Sequence, residues 1–516
     1  MSLLVSLQRL MAIASIVFLA FLIMVVVIYF CLPGPRTRAT LLLLASSFFL
    51  LLFSPRLLWV IFLVIVLAYG FGILFDGLAV SLGPGKISLG SVRLRRALLI
   101  FAIVLIAAAL LICKYAGFVS YLSISALSAI GVSISSPSIK ILVPIGISFW
   151  TFQALAYVID VYKGKIAPEK NLLYFSTSVL FFPIVTMGPI TPVHSLVNQL
   201  KVKHHFSYDT MRSALLLIGW GFFKKLVVAD ALAVFVGSVF DSPHKFSGRI
   251  NGMMFFIAAI AFAIQLYTDF SGYTDIVRGA ARLFGIELPL NFRAPYFARN
   301  VADFWRRWHM TLMDWLRNYV YFPLGGSRKG KLRTQLNVMV VFLISGFWHG
   351  AGLQYIAWGG INGLWQVASR VLKPYNEQVA HVIRLDRAPR VRHVLQVMLT
   401  CLLVTIAWVF FRANSLRDAL YILPRMFMPT VHVITDGTVT AQGLNAYQLL
   451  AVMIAIAVVW VVDYLIVEKK IHLLSWILER PLVIRWAGYY VLIFAIVIFG
   501  HYGGTYNAAD FIYYKF

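Results

Sequence analysis

The chain has 516 residues, 61 % hydrophobic and only 12 % charged, where a soluble domain carries about 25 % charge; this excludes a soluble enzyme, a disordered chain and a secreted disulfide scaffold. Apolar runs of about 15–25 residues recur from end to end, long enough to cross a bilayer as helices and without the alternation of a barrel strand. The net charge of +26, from 45 Lys and Arg against 19 Asp and Glu, sits in short loops between apolar runs, which marks a cytoplasmic membrane face and not a nucleic-acid binder.

In chain order, the predicted spans are Leu10–Leu32, Ala39–Phe53, Leu57–Phe75, Ala97–Ile112, Ile141–Ile159, Leu215–Phe240, Met253–Thr274, Asn337–Trp348, Ile356–Leu372, Val394–Phe411, Leu449–Val467 and Val483–Phe499. The first is too long for the apolar region of a signal peptide, and no small-residue cleavage site follows it. Cys31, Cys113 and Cys401 lie in or beside apolar segments, without C-x-x-C spacing, and read as buried thiols. The basic loops 33–38, 86–96, 163–170, 201–212, 278–333 and 370–392 are expected in the cytoplasm, the uncharged Ser-rich loop 118–138 outside, and both termini on the periplasmic side. The expected fold is an all-α polytopic membrane protein of about 11–13 segments, some re-entrant. No internal repeat or separate soluble domain is visible, so residues 1–516 read as one membrane-embedded domain.

Two stretches conflict with simple crossing. Loops 163–170 and 201–212 are both basic, yet the apolar run 172–190 lies between them and contains Pro183, Gly188 and Pro189. A re-entrant segment resolves this, because broken backbone is tolerated at membrane depth only when it is buried in protein or lines a cavity. Likewise 278–333 and 370–392 are both basic, so 334–369 must enter and return, with Trp348-His349-Gly350 at its turn.

That turn brings in the chemistry. There is no G-x-S-x-G, no H-E-x-x-H and no metal-ligand spacing. Gly325-Gly-Ser-Arg-Lys-Gly-Lys331 begins like a P-loop, but Leu332 stands where Ser or Thr is required and no strand precedes it; a flexible basic loop that attracts phosphate remains. His349 is an ionisable group at membrane depth, either a general base or a structural histidine at a helix turn. His309 falls on the apolar face of a helix capped by Asn300, together with Trp305, Trp308, Leu312, Trp315 and Leu316. Asp303 can pair with Arg306 or Arg307. The pattern reads as an amphipathic helix at the cytoplasmic interface. Asp269, Ser271 and Tyr273 close a span and either line a polar cavity or meet water at a helix end.

Taken together the motifs resemble the membrane-bound O-acyltransferase (MBOAT) family, in particular its bacterial polysaccharide branch. The residues that carry the resemblance are Pro144–Gln153 and Tyr157–Gly164, Asp269–Asp275, Asn291–Tyr296, Phe304–His309 through Trp315–Tyr319, Pro323–Gly326, Gly346–Ala351 and Trp358-Gly359. They cover about 110–365, the motif-bearing core, with a weaker echo at Phe511–Phe516. The resemblance implies the MBOAT fold, a catalytic role for His349, and a second active-site role for His309. Trp305, Arg306, Trp348, Asp269, Ser271, Tyr273 and Asn291 then become candidates to line the substrate tunnel, and Arg328, Lys329 and Lys331 candidates to hold donor phosphate. Asn362 departs from the pattern, since many branch members carry His-Gly after the Trp-Gly pair; an amide there cannot titrate.

The expected activity is transfer of an acyl group, in particular acetyl, from a cytoplasmic thioester such as acetyl-CoA across the bacterial inner membrane. The acceptor is a hydroxyl of a polysaccharide or of a periplasmic partner that relays the group. No bound cofactor or metal and no nucleic acid is expected; membrane lipids are. The alternatives are a transporter or flippase binding an anion at midplane through His349 and Asp269, or an MBOAT acylating teichoic acid, peptidoglycan or a protein.

Overall fold

The computed structural model describes residues 15–53, 55–82, 89–131, 146–245, 251–428, 436–471 and 473–502, and every regular element among them is helical. Among the described residues, seven helices contain apolar stretches long enough to cross a membrane: 35–52, 58–78, 92–120, 252–282, 389–412, 446–468 and 482–499. The contacts divide the chain into two compact units, the first formed by residues up to 215 with 277–289, the second by 216–276 and 290–502.

The first unit contains α1 (Ile16–Cys31), α2 (Pro35–Phe53), α3 (Pro55–Leu82), α4 (Leu89–Ala129), α5 (Ile147–Tyr162), α6 (Leu172–Leu180) and α7 (Val193–Leu200). Ser15 caps α1 by accepting from the Phe18 N–H, and Pro35 opens α2, a position where its missing N–H costs nothing. Residues 118–129, expected as part of an outer loop, instead continue α4; the rest of that loop, 132–138, lies outside the described residues, as do Phe511–Phe516.

The run 172–190 does not cross. Asn171 caps α6 through the Leu173 N–H, and α6 ends after nine residues, only ~13 Å of helix. A buried turn follows at 181–187, then extended chain to Pro192. The backbone freed by this break finds partners inside the protein. The Phe182 N–H donates to Ser46 Oγ at 2.9 Å, and Gln153 Nε2 donates to the Thr191 carbonyl at 2.8 Å. The segment then returns to where it began, for Lys201 Nζ lies 2.5 Å from Glu169 Oε2. Its two ends meet in one ion pair, which is the geometry of a re-entrant loop.

The second unit contains α8 (Tyr208–Phe222, its first residues in the other unit), a π-helical turn Phe223–Ala229, α9 (Asp230–Phe240), α10 (Asn251–Arg282, its residues from 277 on in the other unit), α11 (Val301–Trp305), α12 (Met310–Leu316) and a second π turn, Arg317–Tyr321. There follow α13 (Lys331–His349), α14 (Leu353–Val371), α15 (Lys373–Val382), α16 (Pro389–Arg412), α17 (Leu416–Arg425), α18 (Ala446–Glu468), α19 (Leu473–Leu478) and α20 (Leu482–Phe499). Helices α13 and α14 form the hairpin expected over 334–369, and α16 packs against α14.

Small residues set the hairpin's closeness. A Cβ at Gly359 would meet the Phe342 carbonyl, and its own Cα would lie 3.1 Å from a Cβ on Gly346. Backbones this close gain packing that larger residues forbid. Buried aromatic rings of Trp305, Trp308, Trp358, Trp408 and Phe411 fill the core beside it.

The re-entrant geometry has a direct test. With Cys31, Cys113 and Cys401 replaced, single cysteines at Lys165 and Lys201 are expected to react with a membrane-impermeant maleimide from the same side. Opposite-side labelling would require the run 172–190 to cross.

Candidate active site

His349 is the last residue of α13, buried at 4 % exposure. Three rings meet its imidazole edge to face: Trp348 at 4.6 Å between centroids, Trp358 at 5.0 Å and Phe411 at 5.1 Å. Trp358 in turn stacks on Trp408 at 5.7 Å. Such walls orient an imidazole and keep bulk water from it. The histidine is therefore carried by the hairpin tip, as its place in the sequence suggests.

His309 arrives by a different route. The continuous interfacial helix expected over 300–317 is absent. Asn300 does cap α11 through the Asp303 N–H, and Asp303 pairs with Arg307 at 3.0 Å and Arg306 at 3.8 Å, as the spacing predicts. The helix then stops at Trp305, and His309 takes a left-handed backbone, φ 43° and ψ 53°, before α12 begins. For a residue with a Cβ this conformation costs about 1–2 kcal/mol.

Asn291 holds the corner. Its carbonyl accepts from the Met310 N–H at 2.9 Å. Its side-chain Oδ1 accepts from the Thr311 N–H at 3.2 Å and the Thr311 hydroxyl at 2.7 Å. The Arg293 N–H donates to the Arg307 carbonyl at 2.9 Å on the other side of the corner. Trp305, Trp308, His309, Leu312 and Leu316 are consequently buried and not spread on an interface, while Trp315 is half-buried. The His309 ring meets Phe270 edge-on at 4.8 Å and Trp348 at 6.3 Å. Trp348 thus touches both imidazoles.

A cleft of about 490 Å³ opens beside this core, lined by Trp305, Arg306, Met310, Arg317, Phe342 and Arg370 among others. Asp314 also lines it and pairs with Arg317 at 2.9 Å. Trp305 forms a wall between cleft and pocket: its ring meets Trp358, 5.7 Å away, and Trp358 meets His349. Its indole N–H donates to Asn362 Oδ1 at 3.2 Å, and Asn362 Nδ2 donates to the Trp358 carbonyl at 2.9 Å. The residue that departs from the family pattern therefore fixes the orientation of this wall.

Other expected site residues have different surroundings. Arg328, Lys329 and Lys331 are exposed and none lines the cleft. Its guanidiniums come from Arg306, Arg317 and Arg370, of which only Arg306 had been singled out. Asp269, Ser271, Tyr273 and Asn291 do not line it either. Asp269 Oδ1 lies 2.7 Å from Lys225 Nζ, which also holds Asp230 at 2.7 Å. Ser271 Oγ and Asp275 Oδ2 both engage Lys224 Nζ, at 3.0 and 2.7 Å. Tyr273 is fully buried. The π turn, wider than an α turn, presents both consecutive lysines to α10. The cluster thus forms a buried ionic network whose Asp269 and Ser271 flank in sequence Phe270, the residue against His309. Phe270, Trp408 and Phe411 were missed by sequence reasoning; the only signal was aromatic density, Trp408-Val-Phe-Phe411, in an otherwise aliphatic run.

A helical chain with membrane-length apolar helices thus holds two buried imidazoles against Trp348, separated by Trp305 and Trp358 on the His349 side from a cleft lined by arginines. Residues 166–411 match the model of the MBOAT, membrane-bound O-acyltransferase family. The Pseudomonas aeruginosa protein named "Probable alginate O-acetylase AlgI" is 34 % identical over 422 residues, 81 % of this chain and 75 % of its own length. The peptidoglycan O-acetyltransferase of Helicobacter pylori is 35 % identical over 56 % of this chain and 58 % of its own. The teichoic acid D-alanyltransferase of Bacillus subtilis is 28 % identical over 45 % and 60 %. The chain belongs to the membrane-bound O-acyltransferase family, and is a multi-pass membrane O-acyltransferase.

Asn291→Ala removes the acceptor for two donors at the corner of His309. Leaving such groups unpaired costs ~1–3 kcal/mol. The variant is expected to unfold earlier on heating in detergent and, in the monodisperse folded fraction, to lose at least tenfold in turnover. Full specific activity in that fraction would show that His309 keeps its place without the clamp.

Proposed function

We propose that the enzyme moves an acetyl group from a cytoplasmic thioester, acetyl-CoA, to a hydroxyl of an extracytoplasmic polysaccharide or of a periplasmic relay protein. The observation that carries this reading is the pair of buried imidazoles whose rings both meet Trp348, with Trp358 and Trp305 between His349 and a cleft lined by Arg306, Arg317 and Arg370. The relatives' names support the acceptor class, since alginate, peptidoglycan and teichoic acid are polymers of the bacterial envelope. They also support placement in the bacterial inner membrane. Basic loops in the cytoplasm and both termini in the periplasm complete this topology.

In the proposed reaction His349 accepts the proton of the acceptor hydroxyl as its oxygen attacks the thioester carbonyl carbon. The tetrahedral intermediate carries an oxyanion, which His309 stabilises by donating a hydrogen bond. Collapse breaks the C–S bond, and the departing thiolate takes the proton back from His349. The products are an ester and a free thiol, with no net change in protons. The arginines of the cleft hold the anionic part of the donor, bidentate where a phosphate presents two oxygens.

Two experiments test the proposal. His349→Ala is expected to fold and to lose ~10²–10⁴-fold in transfer; a variant keeping more than half of wild-type activity would remove His349 from the mechanism. Arg317→Gln and Arg370→Gln are expected to raise the KM for donor more than for acceptor, while Lys329→Gln leaves both unchanged. The reverse ranking would return the phosphate site to the 325–331 loop.

A further inference from the structure

A second cavity, of about 600 Å³, lies away from the histidines and outside the mechanism. Its walls are Trp220 and Phe223 at the junction of α8 with the π turn, Ile454 and Val458 of α18, and Val491 and Phe499 of α20. The α19 residues Leu473 and Ile477 close one end. Apart from the Trp220 indole and the phenol of exposed Tyr447, the lining is aliphatic or phenyl. Water needs two to four polar partners to settle in a cavity, and these walls offer almost none. Left empty, they would forfeit dispersion contacts along their whole length. Helix α20 has no buried residue of its own, and the groove runs along its inner side.

The groove has a direction. Along α18 it extends from Tyr447 to Val458, ~16 Å of helix. At the far end, Ile477 lies against Gly488, where a Cβ would be 3.6 Å away. This end carries Trp476, Trp486 and Tyr490, each 40–51 % exposed, and the Arg480 guanidinium sits 4.4 Å over the Trp476 ring. Exposed Trp and Tyr beside Arg and Lys mark the bilayer–water boundary. Between Glu468 and Arg485 the chain holds Lys469, Lys470, Arg480 and Arg485 against Glu468 and Glu479, a balance of 4 − 2 = +2. An apolar slot running inward from a basic, aromatic interface has the shape and charge of a phospholipid turned inside out.

We infer that this groove is a binding site for one anionic phospholipid, whose acyl chain packs between α18 and α20 and whose phosphate meets Lys469, Lys470 and Arg485. The bound chain then adds to the packing that α20 makes with the π turn and α19. Because Phe223 and Val227 of the π turn line the groove, the same chain braces the turn that carries Lys224 and Lys225.

The test uses the full-length protein in mild detergent. Native mass spectrometry of the wild type should show one retained phosphatidylglycerol. Delipidated protein should regain thermal stability on adding phosphatidylglycerol, and respond about tenfold less readily to phosphatidylcholine. Ala451→Trp with Ala455→Trp fills the groove and should abolish both retention and the lipid response; Lys469→Gln with Lys470→Gln should abolish only the preference for the anionic lipid. Should the filled variant not fold, phosphatidylglycerol with brominated tails provides a second readout: its saturable quenching of tryptophan fluorescence should lose the Trp220 component in Trp220→Phe. No retained lipid together with an unchanged melting temperature would overturn the site. Equal response to both lipids would overturn its anionic character, and retention of a polyprenyl phosphate instead would overturn the phospholipid assignment.

Discussion

A backbone amide that leaves its helix inside a bilayer finds no water to bond with, so each interruption must bring its own partner. Three interruptions among the described residues shape this protein, and each is held by specific residues. The re-entrant turn after α6 is satisfied by Ser46 and Gln153. The corner at His309 is satisfied by Asn291. The hairpin tip at His349 is held by α13 and α14, whose backbones approach closely at Gly346 and Gly359. Two of these three breaks deliver an imidazole. Uninterrupted spans would be easier to satisfy, but they could not place His309 and His349 on the same tryptophan.

The second consequence of a low-dielectric interior concerns charge. Lys224 and Lys225 are buried among Asp230, Asp269, Asp275 and Ser271, with distances of 2.7–3.0 Å. Buried pairs of this kind contribute little net stability against a well-packed apolar alternative, yet losing one partner costs ~3–5 kcal/mol. The network therefore resists rearrangement more than it stabilises. Asp269 and Ser271 flank Phe270 in the chain, so the network anchors the turn of α10 that sets Phe270 against His309.

Much of this was legible in the sequence because it is local. Pro183, Gly188 and Pro189 forbid a continuous helix; Asn300 and Asp303 announce a helix start; the charge on both flanks of 334–369 demands a return. What stayed hidden depends on partners distant in the chain. The clamp on His309 comes from Asn291, whose role cannot be read from the helical spacing of 300–317, so the segment looks like one amphipathic helix. Asp269 and Ser271 look like cavity residues until Lys224 and Lys225, inside an apparent span, are seen to reach them. Trp408 and Phe411 lie beyond the motif-bearing core of about 110–365, at the end of the stretch that matches the family model, yet form part of the wall around His349.

The left-handed backbone at His309 makes this position a point where backbone geometry and side-chain packing are opposed. Glycine adopts that conformation without the Cβ penalty, so His309→Gly is expected to be more stable than His309→Ala, by about 1 kcal/mol, although both leave nearly the same void. The imidazole nevertheless packs edge-on against Phe270 and near Trp348, and a glycine would forfeit those contacts and leave a void. The ring thus holds a residue with a Cβ where the backbone alone favours glycine, and its packing offsets the strain that its own Cβ creates.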